Sequence, residues 1–193
     1  TGEALFGNTA LIVGLGRVGR ALAAKLKPLG MTVHAIRRTP DPVAEKELGL
    51  DAVGSPEDLI TMVSEADFVV STVVLTDQTR GLFNRTLFEA MKPTAFVINV
   101  SRGPVVDEED LIVALDTGTI AGAGLDVYLT EPLPPTHRFL SMDNVFATPH
   151  VGGATRQNYL GIGQVVAKNI NLFREGKVPL YCVNPGVLSK VGS

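Results

Sequence analysis

The sequence predicts an α/β fold, a doubly wound parallel sheet with helices on both faces. Three observations predict it. Short apolar runs recur along the 193 residues and alternate with stretches of helical period, the rhythm of repeated strand–helix–strand units. The runs are continuously apolar, as strands covered on both faces must be. A glycine-rich turn, GLGRVG at 14–19, joins the first run to the first amphipathic stretch.

Taken in order, the first strand is TALIVG (9–14). The helix after it covers 18–29, with Val18, Leu22, Leu26 and Leu29 spaced by three and four. It ends at Gly30, and Pro28, which has no N–H to give, distorts its last turn. Six further strands follow as MTVHAI (31–36), DAV (51–53), DFVVSTV (67–73), AFVINV (95–100), GAGLDV (122–127) and NVFATP (144–149), and helices fill the gaps. SPEDLITMV (55–63) opens a helix with Ser55 as N-cap and Pro56 at the first position, and DEEDLIVAL (107–115) opens another under Asp107. The last helix runs from Thr155 to Glu175, and the segment after it reads as loop. LTEPLPPTHRF (129–139) is a proline-rich loop in which His137 is expected to be solvated, whereas His34, within a strand, is expected to be packed or satisfied.

Composition narrows the function. With 45% hydrophobic and 19% charged residues and a net charge of −3, the chain has the makeup of a globular domain, without a polybasic nucleic-acid surface or a disordered tail. A small-molecule partner is expected, with no nucleic acid and no membrane. The longest apolar stretch, FVVSTVVL (68–75), falls far short of the roughly 20 residues of a membrane helix. The single cysteine, Cys182, has no partner for an internal disulfide and reads as a packing residue in a reducing, cytoplasmic setting. The chain opens TGEALFG without an initiator methionine, which reads as a fragment or a processed chain. Residues 1–175 are expected to form one domain and 176–193 a tail.

GLGRVG matches G-x-G-x-x-G directly after a strand and at the start of a helix, the context of a Rossmann-type dinucleotide-binding turn. In that reading Gly14 permits the tight turn, Gly16 the close approach of a pyrophosphate, and Gly19 the packing of helix on sheet. The N–H groups of Arg17 and Val18 then point at the phosphates, favoured by the helix dipole. The alternative is a tight turn with no ligand. About 20 residues on, where an acid selects NAD through its ribose, the chain has Arg37 and Arg38. A guanidinium can grip a 2′-phosphate bidentately with no adjacent acid to compete, so NADP(H) is the expected coenzyme, with NAD(H) possible. The alternative is two solvated arginines at a strand end.

Downstream, NVSRGPVVDEEDLIVAL (99–115), AGAGLDVYLTEPLP (121–134) and NVFATPHVGGAT (144–155) resemble, in order and spacing, signatures of the D-isomer-specific 2-hydroxyacid dehydrogenases. With GLGRVGRALAAKLKPLGM (14–31) and ADFVVSTVVLTDQTRGLFN (66–84), the resemblance spans nearly the whole chain and is nearest the glyoxylate and hydroxypyruvate reductase branch. It implies hydride transfer between a nicotinamide and C2 of a small 2-oxo acid. Such chemistry needs a cation for the carboxylate, an acid to protonate the developing alkoxide, and a group to tune that acid. Arg102, His150 and Glu131 match the family's catalytic arginine, histidine and glutamate, Glu131 fixing the tautomer of the ring and favouring its protonated form. Asp126, Gly152, Gly153 and Thr79 match positions beside the coenzyme, and Val74 stands where the family usually has proline.

The resemblance also implies a homodimer and a substrate domain lying largely outside this stretch, so the chain is expected to bind coenzyme and turn over weakly or not at all. Two alternatives remain open at this point. One is another 2-hydroxyacid dehydrogenase, of phosphoglycerate or ketogluconate type. The other is a non-enzymatic, dinucleotide-sensing binding module, since a fold never fixes a function.

Overall fold

A computed structural model describes residues 4–39 and 41–186. All seven expected strands form: β1 (Thr9–Val13), β2 (Thr32–Ile36), β3 (Ala52–Gly54), β4 (Phe68–Ser71), β5 (Phe96–Asn99), β6 (Gly122–Leu125) and β7 (Val145–Ala147). They make one sheet in the order β3-β2-β1-β4-β5-β6-β7, and every pairing is parallel. Strand pleating sends alternate residues to opposite faces. Ala10 and Ile12 of β1 join a core with Ala23, Met31, Val33 and Ala35 on one face. Leu11 and Val13 join the larger core on the other, with Leu59, Val63, Phe83, Leu87 and Phe88.

The helices are α1 (Arg17–Leu26), α2 (Pro42–Leu48), α3 (Leu59–Val63), α4 (Arg85–Ala90), α5 (Glu108–Asp116) and α6 (Arg156–Arg174). The expected distortion at Pro28 appears as a 3-10 turn over Lys27–Leu29, closed by Gly30 at φ +77°. The helix expected from Ser55 likewise begins as a 3-10 turn, Pro56–Asp58, with the Asp58 carboxylate accepting from the Ser55 N–H at 2.8 Å. Asp107 caps α5 by accepting from the Asp110 N–H, and Thr155 caps α6 by accepting from the Asn158 N–H. His34 in β2 is packed, as expected, and its Nδ1 is buried with no hydrogen-bond partner among the described residues.

Chain connection places the site. β1 is followed outward by β2 and β3 on one side, and the chain then returns to β4 on the other. The crossovers therefore diverge between β1 and β4, and a crevice opens there at the carboxyl ends of the strands. The chain divides into two compact units, Thr1–His150 and Val151–Ser193. The first holds the sheet. The second holds α6, whose Asn169 side chain bonds both the N–H and the carbonyl of Leu180. Among the described residues no helix is long and apolar enough to cross a membrane.

Candidate active site

β1 runs directly into Gly14, whose φ of +100° suits glycine, and a Cβ there would lie 2.9 Å from the Val73 backbone nitrogen. A Cβ at Gly19 would overlap the Gly14 carbonyl oxygen, so this glycine lets α1 sit against the turn. Gly16, the N-cap of α1, differs from both. Among the described residues nothing lies within 4 Å of the place its Cβ would take, and it lines a cavity of about 810 Å³. Arg17 and Val18 follow, exposed, in the first turn of the helix.

Arg37, Arg38, Val74 and Thr79 line the same cavity. Thr79 shapes its wall: the hydroxyl donates to the Val74 carbonyl at 2.7 Å and accepts from the Thr76 N–H at 2.8 Å. Val74 is left 78% exposed, an apolar surface for a flat ring. Arg38 is exposed. Arg37 corrects the expectation of an arginine without a competing acid. Its Nη1 lies 3.4 Å from the Asp41 carboxylate, which also accepts from Arg20 Nη2 at 2.6 Å, and Glu57 stands on the cavity wall. Arg37 Nη1 is itself buried and, among the described residues, has that ion pair but no hydrogen bond. A cavity of this size, a helix N-terminus bared by glycine and two arginines on the wall together fit a dinucleotide.

Beyond Val74 lies a second cavity of about 300 Å³, lined by Val18, Val100, Ser101 and Arg102. A buried polar network not foreseen from the sequence presents Arg102 to it. The Ser71 and Ser101 hydroxyls meet at 2.9 Å, and Asn99 Oδ1 accepts from both the N–H and the hydroxyl of Ser101. Asn99 Nδ2 then donates to the Arg102 carbonyl at 3.1 Å. The signal was present in FVVS and NVSRG, where serine and asparagine interrupt apolar strands just before they end. At the next position a Cβ on Gly103 would overlap the Tyr128 carbonyl, so glycine there lets the Arg102 turn meet the loop carrying Glu131.

Glu131 accepts twice. Its Oε1 takes the Tyr128 N–H at 3.0 Å, and its Oε2 lies 2.7 Å from His150 Nδ1. The His150 hydrogen bond, then that of the Tyr128 N–H, holds the Glu131 carboxyl below the usual carboxylate range, with a smaller contribution from the Arg102 charge. His150 has a φ of 54°, a left-handed conformation uncommon outside glycine. Asp126, at the exit of β6, is buried and accepts from the Thr148 hydroxyl at 2.6 Å. Burial, then the Asp126 charge, pushes the Tyr128 phenol up, and its hydroxyl donates to the carbonyls of Leu125 and Thr148.

The first unit thus brings Arg102, Glu131, His150 and Asp126 to one end of the sheet, with the glycine turn and both arginines. Gly152 and Gly153 belong to the second unit, in the turn before α6, where Asn158 Nδ2 donates to the Gly153 carbonyl at 2.7 Å. His137 is not solvated. Its side chain is 21% exposed, its Nδ1 accepts from the Phe139 N–H, and its Nε2 lies 3.4 Å from the Glu108 carboxylate.

The fold and cleft define a dinucleotide-binding domain of the Rossmann type, with a histidine–carboxylate pair at the same end of the sheet as the glycine turn. Residues 1–152 match the D-isomer specific 2-hydroxyacid dehydrogenase, NAD binding domain, and the chain belongs to that family. It is 43% identical over 188 residues to a glyoxylate reductase of Thermococcus onnurineus, covering 97% of this chain and 55% of that protein. It is 41% identical over 170 residues to a human glyoxylate reductase/hydroxypyruvate reductase, covering 88% and 51%. A D-isomer specific 2-hydroxyacid dehydrogenase from Xanthobacter autotrophicus Py2, solved in complex with NADPH and MES, superposes with a TM-score of 0.79 at 34% identity, covering 97% of this chain and 75% of that one. The chain spans about half the length of the curated relatives it matches.

Proposed function

We propose that this chain is the coenzyme-binding part of an NADP(H)-preferring reductase acting on a small 2-oxo acid such as glyoxylate or hydroxypyruvate. The observation that carries the reading is the 2.7 Å contact of Glu131 with His150 Nδ1 beside Arg102. With Nδ1–H donated to Glu131, Nε2 is the ring nitrogen left to exchange a proton with substrate. When bound, the nicotinamide supplies the hydride or takes it back. Arg102 then holds the substrate carboxylate and polarises its carbonyl, while His150 Nε2–H gives its proton to the C2 oxygen. The preference for NADP(H) is supported by Arg37 and Arg38, which stand on the cavity wall just past the end of β2. The exposed apolar side chains of α6, among them Leu160, Val166 and Phe173, support a homodimer.

Two linked measurements test the reading. NADPH and NADH are titrated by calorimetry into the chain and into Arg37→Ala. A hydrogen bond to a charged group is worth about 1.5–3 kcal/mol, so a roughly tenfold to hundredfold preference for NADPH is expected, lost in the variant. Oxidation of bound NADPH by glyoxylate and by hydroxypyruvate is then followed in a single turnover, in a longer form that restores the substrate domain the family resemblance implies. His150→Ala is expected to slow it by at least about 100-fold while NADPH affinity holds. Equal coenzyme affinities would withdraw the NADP(H) preference, and an unchanged rate would withdraw the role of His150.

A further inference from the structure

The loop that carries Glu131 is fastened to a helix that takes no part in the proposed chemistry. Glu108, in the first turn of α5, accepts the Leu129 N–H through Oε1 at 2.5 Å, and its Oε2 lies 3.4 Å from His137 Nε2. One carboxylate therefore grips the loop at both ends, at Leu129 just before Glu131 and at His137 six residues after it. Both side chains are largely withdrawn from solvent, 13% exposed for Glu108 and 21% for His137, so this contact is screened far less than a surface ion pair. His137 is itself fixed. Its Nδ1 accepts the Phe139 N–H at 3.3 Å, and its ring packs on Phe139 with centroids 4.7 Å apart, leaving Nε2–H as the donor toward Glu108. Leu129 and Tyr128 are consecutive. Glu108 takes the N–H of the first and Glu131 that of the second, so the strap and the candidate catalytic carboxylate hold adjacent peptide units.

We propose that Glu108 and His137 are a positioning pair that holds the 129–137 loop against α5, and thereby keeps Glu131 in reach of His150. The inference rests on the proposed role of the Glu131–His150 pair, but its test reads Glu131 directly and needs no turnover. The Glu131 carboxyl is followed by carbon NMR through a pH titration of the whole chain, with Glu131→Gln identifying the resonance. His137→Asn keeps an acceptor for the Phe139 N–H but is too short to reach Glu108, and Glu108→Gln keeps an acceptor for Leu129 while removing the charge.

In both variants the Glu131 midpoint is expected to move up toward that of an unpaired carboxylate. In Arg138→Ala, which breaks the exposed ion pair of the same segment with Asp116, it is expected to stay. A Glu131 midpoint unchanged in His137→Asn and Glu108→Gln, whether or not thermal stability falls, would overturn the proposal. So would an equal movement in Arg138→Ala, which would mean that any loosening of the segment suffices. A shifted midpoint together with a hydride-transfer rate unchanged by His150→Ala would keep the positioning pair and remove the proposed role of His150, so the two fail separately.

Discussion

Gly103 shows how much one missing atom matters. Its Cβ position is occupied by the Tyr128 carbonyl, which is backbone and cannot rotate away. Gly103→Ala is therefore expected to cost about 3 kcal/mol, at or above the usual overpacking range, as read by urea unfolding. Glu131 gives a second prediction, with a defined sign. Its carboxyl is depressed in the folded state by the His150 and Tyr128 hydrogen bonds, so its contribution is present above the ordinary carboxylate value and is lost as pH falls through the folded one. Glu131→Gln should thus be less stable than the parent near neutral pH, and the gap should close in acid, as urea midpoints across pH will show. Because the two side chains are 47% and 36% exposed, the gap should not exceed about 1 kcal/mol. Residues of this kind were unevenly legible in the sequence. Arg102, Glu131 and His150 were legible through the family signatures that contain them, since an arginine after a strand, a glutamate before proline and a histidine after proline are each ordinary when taken alone. Glu108 was not, nor was the contact of Asp41 with Arg20, because a surface-type acid reveals such a partner only when distant segments meet.

At the scale of elements, the sequence was most legible where one local signal sufficed. Apolar runs gave seven strands, Pro28 gave the 3-10 turn, and Asp107 and Thr155 gave the starts of α5 and α6. The short helices α2 and α4 were harder to name, since seven and six residues hold too few turns for a period to show. α5 joins fold and site: its buried Leu111 and Leu115 hold it to the core, while Glu108 and Asp116 hold the 129–141 segment. Asp107→Ala removes its cap and is expected to cost about 1 kcal/mol. Leu111, with no exposed surface, is expected to cost about 2–5 kcal/mol on truncation to alanine. Thermal or urea denaturation of the two variants checks both values.

For the whole molecule, the parallel sheet sets what is near what. Gly14, Arg37, Arg102 and Asp126 each follow the end of a different strand, so one rim collects groups more than a hundred residues apart. The NADP(H) preference proposed for that rim is electrostatic, resting on Arg37 and Arg38, which share the cavity wall with Glu57, while Asp41 pairs with Arg20 and Arg37. Raising salt from about 0.05 to about 0.5 M should weaken NADPH binding more than NADH binding, narrowing the ratio of dissociation constants measured by calorimetry. The same strand polarity has a practical use. The amino ends of the strands form the opposite rim, where Thr94 and Thr117 lie exposed in the connections leading to β5 and β6. A dye or surface linker placed on Thr94→Cys, with Cys182 replaced, would anchor the domain with its cleft turned toward solution, as an oriented optical sensor of reduced coenzyme requires.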